Sequence, residues 1–247
     1  MDYHWDWLFF FRETDDGLKY YDWILSGLGW TTLVSLASLA LALVLGSALG
    51  VMRTTPKRWL VAIGDAYVDV FRNIPLIVQL FMWFFVVPEL VPEKIGMWMK
   101  QDLPYIVIAV VGLGLYTAAR IAEQVKAGIN SLSRGQRDAG LALGLTEWQT
   151  YRHVRLPMAY RIVLPAMTSE AMNIFKNSAV TYAVGILELY FQYKQIIEKT
   201  SQVLEITIVV TLAYFALAFL MNRFLAFIER RTRVPGLIVG SKGGGAA

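Results

Sequence analysis

No cysteine occurs in the 247 residues, so this sequence offers neither a disulfide nor a thiolate metal site. Histidine is scarce as well. The 2 present, His4 and His153, have no ligand partner at metal spacing, and no metal centre is expected. Charged residues make up 17%, against about 25% in soluble domains. There is no Gly-x-x-x-x-Gly-Lys-Ser/Thr loop, which excludes ATP hydrolysis by that chemistry in this chain. No His, Cys or paired-acid constellation shares one surface, so no catalytic residue is nominated and a membrane enzyme is disfavoured. Internal repeats, the mark of many secondary transporters, are missing too.

What fills the chain is apolar. Hydrophobic residues reach 56% and the mean hydropathy is +0.48, which points to an all-α integral membrane protein. The 30 residues between Asp22 and Arg53 carry no charge, too long a run for a secretory signal and enough for a tilted span. No small-residue cleavage site with a soluble domain behind it follows, so this run is kept as the first span. Five spans are predicted, at about 23–52, 60–88, 103–120, 160–187 and 205–228, the fourth interrupted by Glu170 and Lys176. A loop at 121–159 and a glycine-rich, disordered tail at 236–247 complete the division of this single transmembrane domain. Gly46 and Gly50 form a small-xxx-small face on the first span, suited to close helix packing. The aromatic Trp5–Phe11 stretch is too short to span and fits an interfacial segment.

Five spans put the termini on opposite sides, and Lys and Arg decide the orientation. Fifteen lie on the side holding Arg53, the 121–159 loop and the C-terminal tail; six lie on the other. The loop and C-terminus are therefore cytoplasmic, the N-terminus outside. The net charge of +4 and pI near 9.2 follow from this asymmetry and call for no nucleic-acid partner.

Ionisable groups inside spans cost roughly 2.5 to 3.5 kcal/mol each on insertion scales, so they mark a cavity or a partner. The second span carries Asp65, Asp69, Arg72, Asn73 and then Pro75, which removes a backbone donor and predicts a kink. The fourth carries Glu170, Asn173, Lys176, Asn177 and Ser178. Asp69 and Arg72 stand three apart and can pair. Two readings stand for Arg72 and Lys176: they line a path through the membrane, or they neutralise Asp69 and Glu170.

The cytoplasmic loop has an ordered pattern that lipid does not explain. Residues 136–143, beginning at Gln136, read as a short helix with small residues at Ala139, Gly140 and Ala142. Gly144 ends it, and Thr146 caps a second helix opening Glu147-Trp148. Small side chains would let another protein approach, while Leu145 and Trp148 offer apolar knobs. The slots Asp138, Ala139, Gly140, Gly144, Val154, Leu156 and Pro157 resemble the EAA loop of ATP-binding-cassette (ABC) importer permeases, with Asp for Glu and Gly for the second Ala. Arg72-Asn73-Ile74-Pro75-Leu76 and Lys176-Asn177-Ser178-Ala179 are similar to signatures of the polar amino acid branch, and the stretches around Phe71, Val87 and Ser131 to the glutamate/aspartate permeases.

That resemblance implies a five-span type I importer fold in a bacterial inner membrane, with a periplasmic N-terminus and a cytoplasmic EAA coupling loop. It implies two cytoplasmic ABC ATPases that bind ATP and Mg, no cofactor in this chain, a second and non-identical permease subunit, and a periplasmic amino-acid-binding protein. The cargo expected is glutamate or aspartate. Another polar amino acid such as glutamine is the alternative, and a secondary transporter using Asp69, Glu170 and Lys176 as coupling groups is the rival from another class.

Overall fold

The computed structural model describes residues 3–232, and all of its regular structure is helical. The tail predicted to be disordered, 236–247, lies outside the described residues. Helix α1, Tyr20–Met52, is 33 residues long, about 50 Å at 1.5 Å per residue, well beyond the roughly 30 Å of a bilayer core. Helix α5, Tyr105–Asn130, lies along it. The Gly46/Gly50 face makes this possible: a Cβ on Gly46 would meet the Ala118 carbonyl oxygen at 2.7 Å, and one on Gly50 would meet Val125 Cβ at 2.6 Å. The last long helix, α10, Val203–Thr232, packs against the helix Leu156–Asn177.

Between α1 and α5 come α2, Arg58–Asn73, and α3, Leu76–Leu90, bent by 107° at the break between them. The predicted kink at Pro75 is thus a full break. Proline pushes the preceding residue out of helical space, and Ile74 is extended, with φ −102 and ψ 128. Side chains take over the stranded carbonyls: Asn73 Nδ2 donates to the Asp69 carbonyl at 2.7 Å, and Gln79 Nε2 donates to those of Phe71 and Ile74, both at 2.8 Å. A short helix α4, Glu93–Gln101, turns back beside the end of α3.

Beyond α5 lie α6, Arg134–Ala142, and α7, Glu147–Thr150, which runs through one wide turn at Tyr151–Arg155 into α8, Leu156–Asn177. Tight turns over Ser178–Val184 lead to α9, Leu189–Thr200, and then α10. Helix α5 continues to Asn130, so the connection is shorter than the 121–159 expected. Among the described residues three helices are long and apolar enough to cross a membrane, and the broken α2–α3 pair would make a fourth. The expected span 160–187 is not one apolar rod: α8 contains Pro165, Glu170 and Lys176, and tight turns complete it.

The interior is a stack of apolar clusters. Leu80, Leu113 and Ile174 join α3, α5 and α8; Ile121, Ile129, Val163 and Met167 continue the seam of α5 and α8 toward the loop end. At the opposite end Phe9, Ile24, Leu189, Ile196 and Ile206 hold the N-terminal segment, α1, α9 and α10 together. The outer face of α10 presents Leu212, Phe215, Phe219 and Leu220 uncovered, an arrangement that water disfavours and lipid accepts. The chain is a multi-pass membrane protein.

Candidate functional site

The loop forms the bend its sequence specifies. Helix α6 stops because Gly144 adopts φ +80, a left-handed conformation that costs other L-residues. The Gly144 N–H donates to the Leu141 carbonyl at 2.9 Å and the Leu145 N–H to that of Gly140 at 3.1 Å, the two bonds of a Schellman closure. Thr146 then caps α7: its Oγ accepts from the Gln149 N–H at 3.2 Å, and Gln149 Oε1 accepts from the Thr146 N–H at 2.8 Å. Across the bend the Arg137 guanidinium grips the Glu147 carboxylate, with Nε at 3.1 Å from Oε2. That hydrogen bond holds the Glu147 carboxyl below its ordinary range.

Exposure within the loop corrects the sequence reading at two places. Gly140 is buried and faces Thr150, where a Cβ would lie 2.6 Å from Thr150 Cγ2. Its smallness therefore serves the packing of α6 on α7, not the approach of another protein. Leu145 is half-buried, whereas Leu143 is 82% exposed and Trp148 62% exposed. Leu143, which occupies an unrestricted slot of the motif, is the outstanding apolar knob. Asp138, Ala139, Thr146 and Glu147 are exposed with it, and Gln136 is half-buried. Behind this surface a cleft of about 560 Å³ separates the loop from the α1–α2 turn, lined by Thr54, Thr55, Pro56, Arg137, Trp148 and Tyr151 among others.

The two polar clusters read from the spans meet through α5. Glu170, 6% exposed, is held by Arg120, with Nε–Oε2 at 2.7 Å and Nη2–Oε1 at 3.1 Å, and Gln124 Nε2 donates to it at 3.2 Å. Lys176 does not neutralise Glu170, because residues six apart on a helix point about 240° around the axis from one another. Lys176 is exposed instead. The guanidinium of Arg72 reaches Glu123 on α5 at 3.6 Å rather than Asp69. Asn73 and Pro75 are exposed at the break, and Asn177 is half-buried. Ser178 is buried with its hydroxyl donating to the Phe175 carbonyl at 2.8 Å, so it offers nothing to a path in this conformation. Arg120 was the partner missed. The signal available was the rule that a charge inside a span has a mate, which Arg120 and Glu170 satisfy from separate helices.

The chain is similar to known proteins over most of its length. Residues 42–234 match the family described as binding-protein-dependent transport system inner membrane component. The glutamate/aspartate import permease protein GltJ of Escherichia coli (strain K12) is 42% identical over 241 residues, covering 96% of this chain and 98% of that protein. A probable glutamine ABC transporter permease protein, GlnM of Bacillus subtilis (strain 168), is 35% identical over 210 residues, 84% of this chain and 92% of its own length. Among solved structures, a crystal structure of an amino acid ABC transporter with histidines superposes with a TM-score of 0.74 at 26% identity, covering 86% of this chain and 95% of that one.

Proposed function

Because the chain belongs to the family of binding-protein-dependent transport system inner membrane components, we propose that it is the permease subunit that carries glutamate and aspartate inward through a bacterial inner membrane in an ATP-driven importer. The observation that carries the cargo reading is the 42% identity with a glutamate/aspartate permease over nearly the whole chain. Its five spans are α1, the broken α2–α3 pair, α5, α8 with the turns that follow it, and α10. The excess of Lys and Arg puts the loop and C-terminus in the cytoplasm and the N-terminus in the periplasm.

One of the two cytoplasmic ATPases docks on α6 and α7, with Leu143, Leu145 and Trp148 as the apolar contacts and Asp138, Ala139, Thr146 and Glu147 around them, and the other docks on the second permease. A second, non-identical permease completes the pathway, and a periplasmic binding protein delivers the amino acid. ATP and Mg belong to the ATPases. Closure of the ATPase pair moves the bent loop, and the spans pass from one access state to the other.

Inside the spans, Arg72, Asn73, Lys176 and Asn177 supply donors for an anionic cargo. The ion pair of Glu170 with Arg120 supports a cargo role for Lys176, since its ammonium is not consumed in neutralising Glu170. In vesicles holding the full complex, Lys176→Gln should lower uptake of glutamate and aspartate more than that of glutamine. Equal loss for every cargo together with lower thermal stability would make Lys176 a packing charge. Uptake of glutamine in preference to both acids by the unaltered complex would overturn the cargo itself.

A further inference from the structure

The cytoplasmic ends of α1, α2 and α5 are joined by ion pairs that centre on one side chain. Arg53, directly after α1, is only 7% exposed. Its Nε donates to Asp65 Oδ1 on α2 at 2.6 Å, and its Nη2 reaches Glu123 Oε1 on α5 at 2.5 Å. Lys126 makes a second contact to Asp65 at 3.0 Å, and Arg72 a second to Glu123 at 3.6 Å. Gly64 makes room for the arginine stem, since a Cβ there would stand 2.5 Å from Arg53 Cγ. Removing either carboxylate leaves a buried guanidinium short of partners, so this node resists separation of the three helices.

The next residue reaches the docking loop. Thr54 Oγ1 and the Tyr151 hydroxyl are hydrogen-bonded at 2.7 Å. Tyr151 opens the wide turn after α7 and stacks on Trp148 with ring centroids 6.2 Å apart and planes 15° from parallel. By its covalent ends alone, the loop pulls on α5 and α8. The Thr54–Tyr151 bond adds α1, and Arg53 extends the attachment to α2, which carries Arg72, Asn73 and the break at Pro75.

We infer that Arg53 and Thr54 form the joint that passes movement of the docking loop to α2, Thr54 as the link to Tyr151 and Arg53 as the positioning residue that holds Asp65 and Glu123. This rests on the reading of α6 and α7 as an ATPase-docking surface. The joint sits behind that surface, so it governs how hydrolysis is converted into movement, not whether the ATPase binds.

The test reads uptake and ATP hydrolysis on the same vesicles containing the full complex and its binding protein. Thr54→Val removes one hydroxyl at nearly constant size. It should leave ATPase co-purification and hydrolysis unchanged while glutamate moved per ATP falls about fivefold, the factor a lost neutral hydrogen bond is worth. Tyr151→Phe should do the same, and the double variant should be no worse than Thr54→Val alone, because Thr54→Val already lacks that bond, together with the one from Thr54 Oγ1 to the Val51 carbonyl at 2.8 Å. Arg53→Lys keeps the charge without the fork that spans two carboxylates, and should uncouple as well. Unchanged coupling in Thr54→Val and Tyr151→Phe, losses that add in the double variant, or uptake and hydrolysis falling in parallel would each overturn the joint. Failure of the docking reading looks different: the unaltered permease would not co-purify with an ATPase.

Discussion

Replacing Gly144 by leucine isolates the conformation of the bend proposed to dock an ATPase. No atom outside its neighbours stands within 4 Å of a Cβ built there, so the Cβ itself meets no steric obstacle. The whole cost is backbone, because φ is +80 and an L-residue in the left-handed region is disfavoured by about 1–2 kcal/mol. Relieving that strain breaks the bonds from Gly144 and Leu145 to the Leu141 and Gly140 carbonyls and swings α7 with Trp148 away from α6. The bent population then falls by a factor of about 5–30, and apparent affinity for the ATPase falls with it. The assay is titration of purified permease complex with ATPase, alongside uptake and a check of membrane insertion, which should be normal. Gly144→Asn is the control, since asparagine visits the left-handed region readily and should keep most of the affinity. Equal losses in the two variants, or none in Gly144→Leu, would refute the reasoning.

Gly140→Ala should also impair uptake by forcing α6 off Thr150, and Thr150→Ala in the same chain should restore it, because the atoms in the way are Thr150 Cγ2 and Oγ1 at 2.6 and 2.7 Å; a double variant as poor as the single would refute the packing account. Arg120→Met strips the buried Glu170 of its cation and should cost about 3 kcal/mol, read as a lower unfolding midpoint of the detergent-solubilised complex, whereas Arg120→Met with Glu170→Met should recover most of it. A reporter fused after Lys242 should read cytoplasmic and one near Lys94 periplasmic; the reverse pattern would overturn the topology.

Local chemistry was legible in the chain itself. Gly144 and Thr146 define the bend within ten residues, because a left-handed cap and a capping box are closed by hydrogen bonds between near neighbours. Pro75 announced a kink in the same way, since its ring acts on the residue just before it, and the structure makes that kink a full break. The apolar runs at α1, α5 and α10 marked helices able to cross a membrane, for hydropathy needs no knowledge of neighbours. The partners of the charges were decided by tertiary structure alone. Sequence proximity favoured Asp69 for Arg72 and Glu170 for Lys176, yet α5 lies against both α2 and α8 and supplies Glu123 and Arg120. Arg53, Asp65 and Glu123 become one node only because Gly46 and Gly50 bring α1 and α5 close enough for a buried guanidinium to reach two helices. Helix periodicity says which way a side chain points; what it finds there depends on helices tens of residues away along the chain, and that is a property of packing.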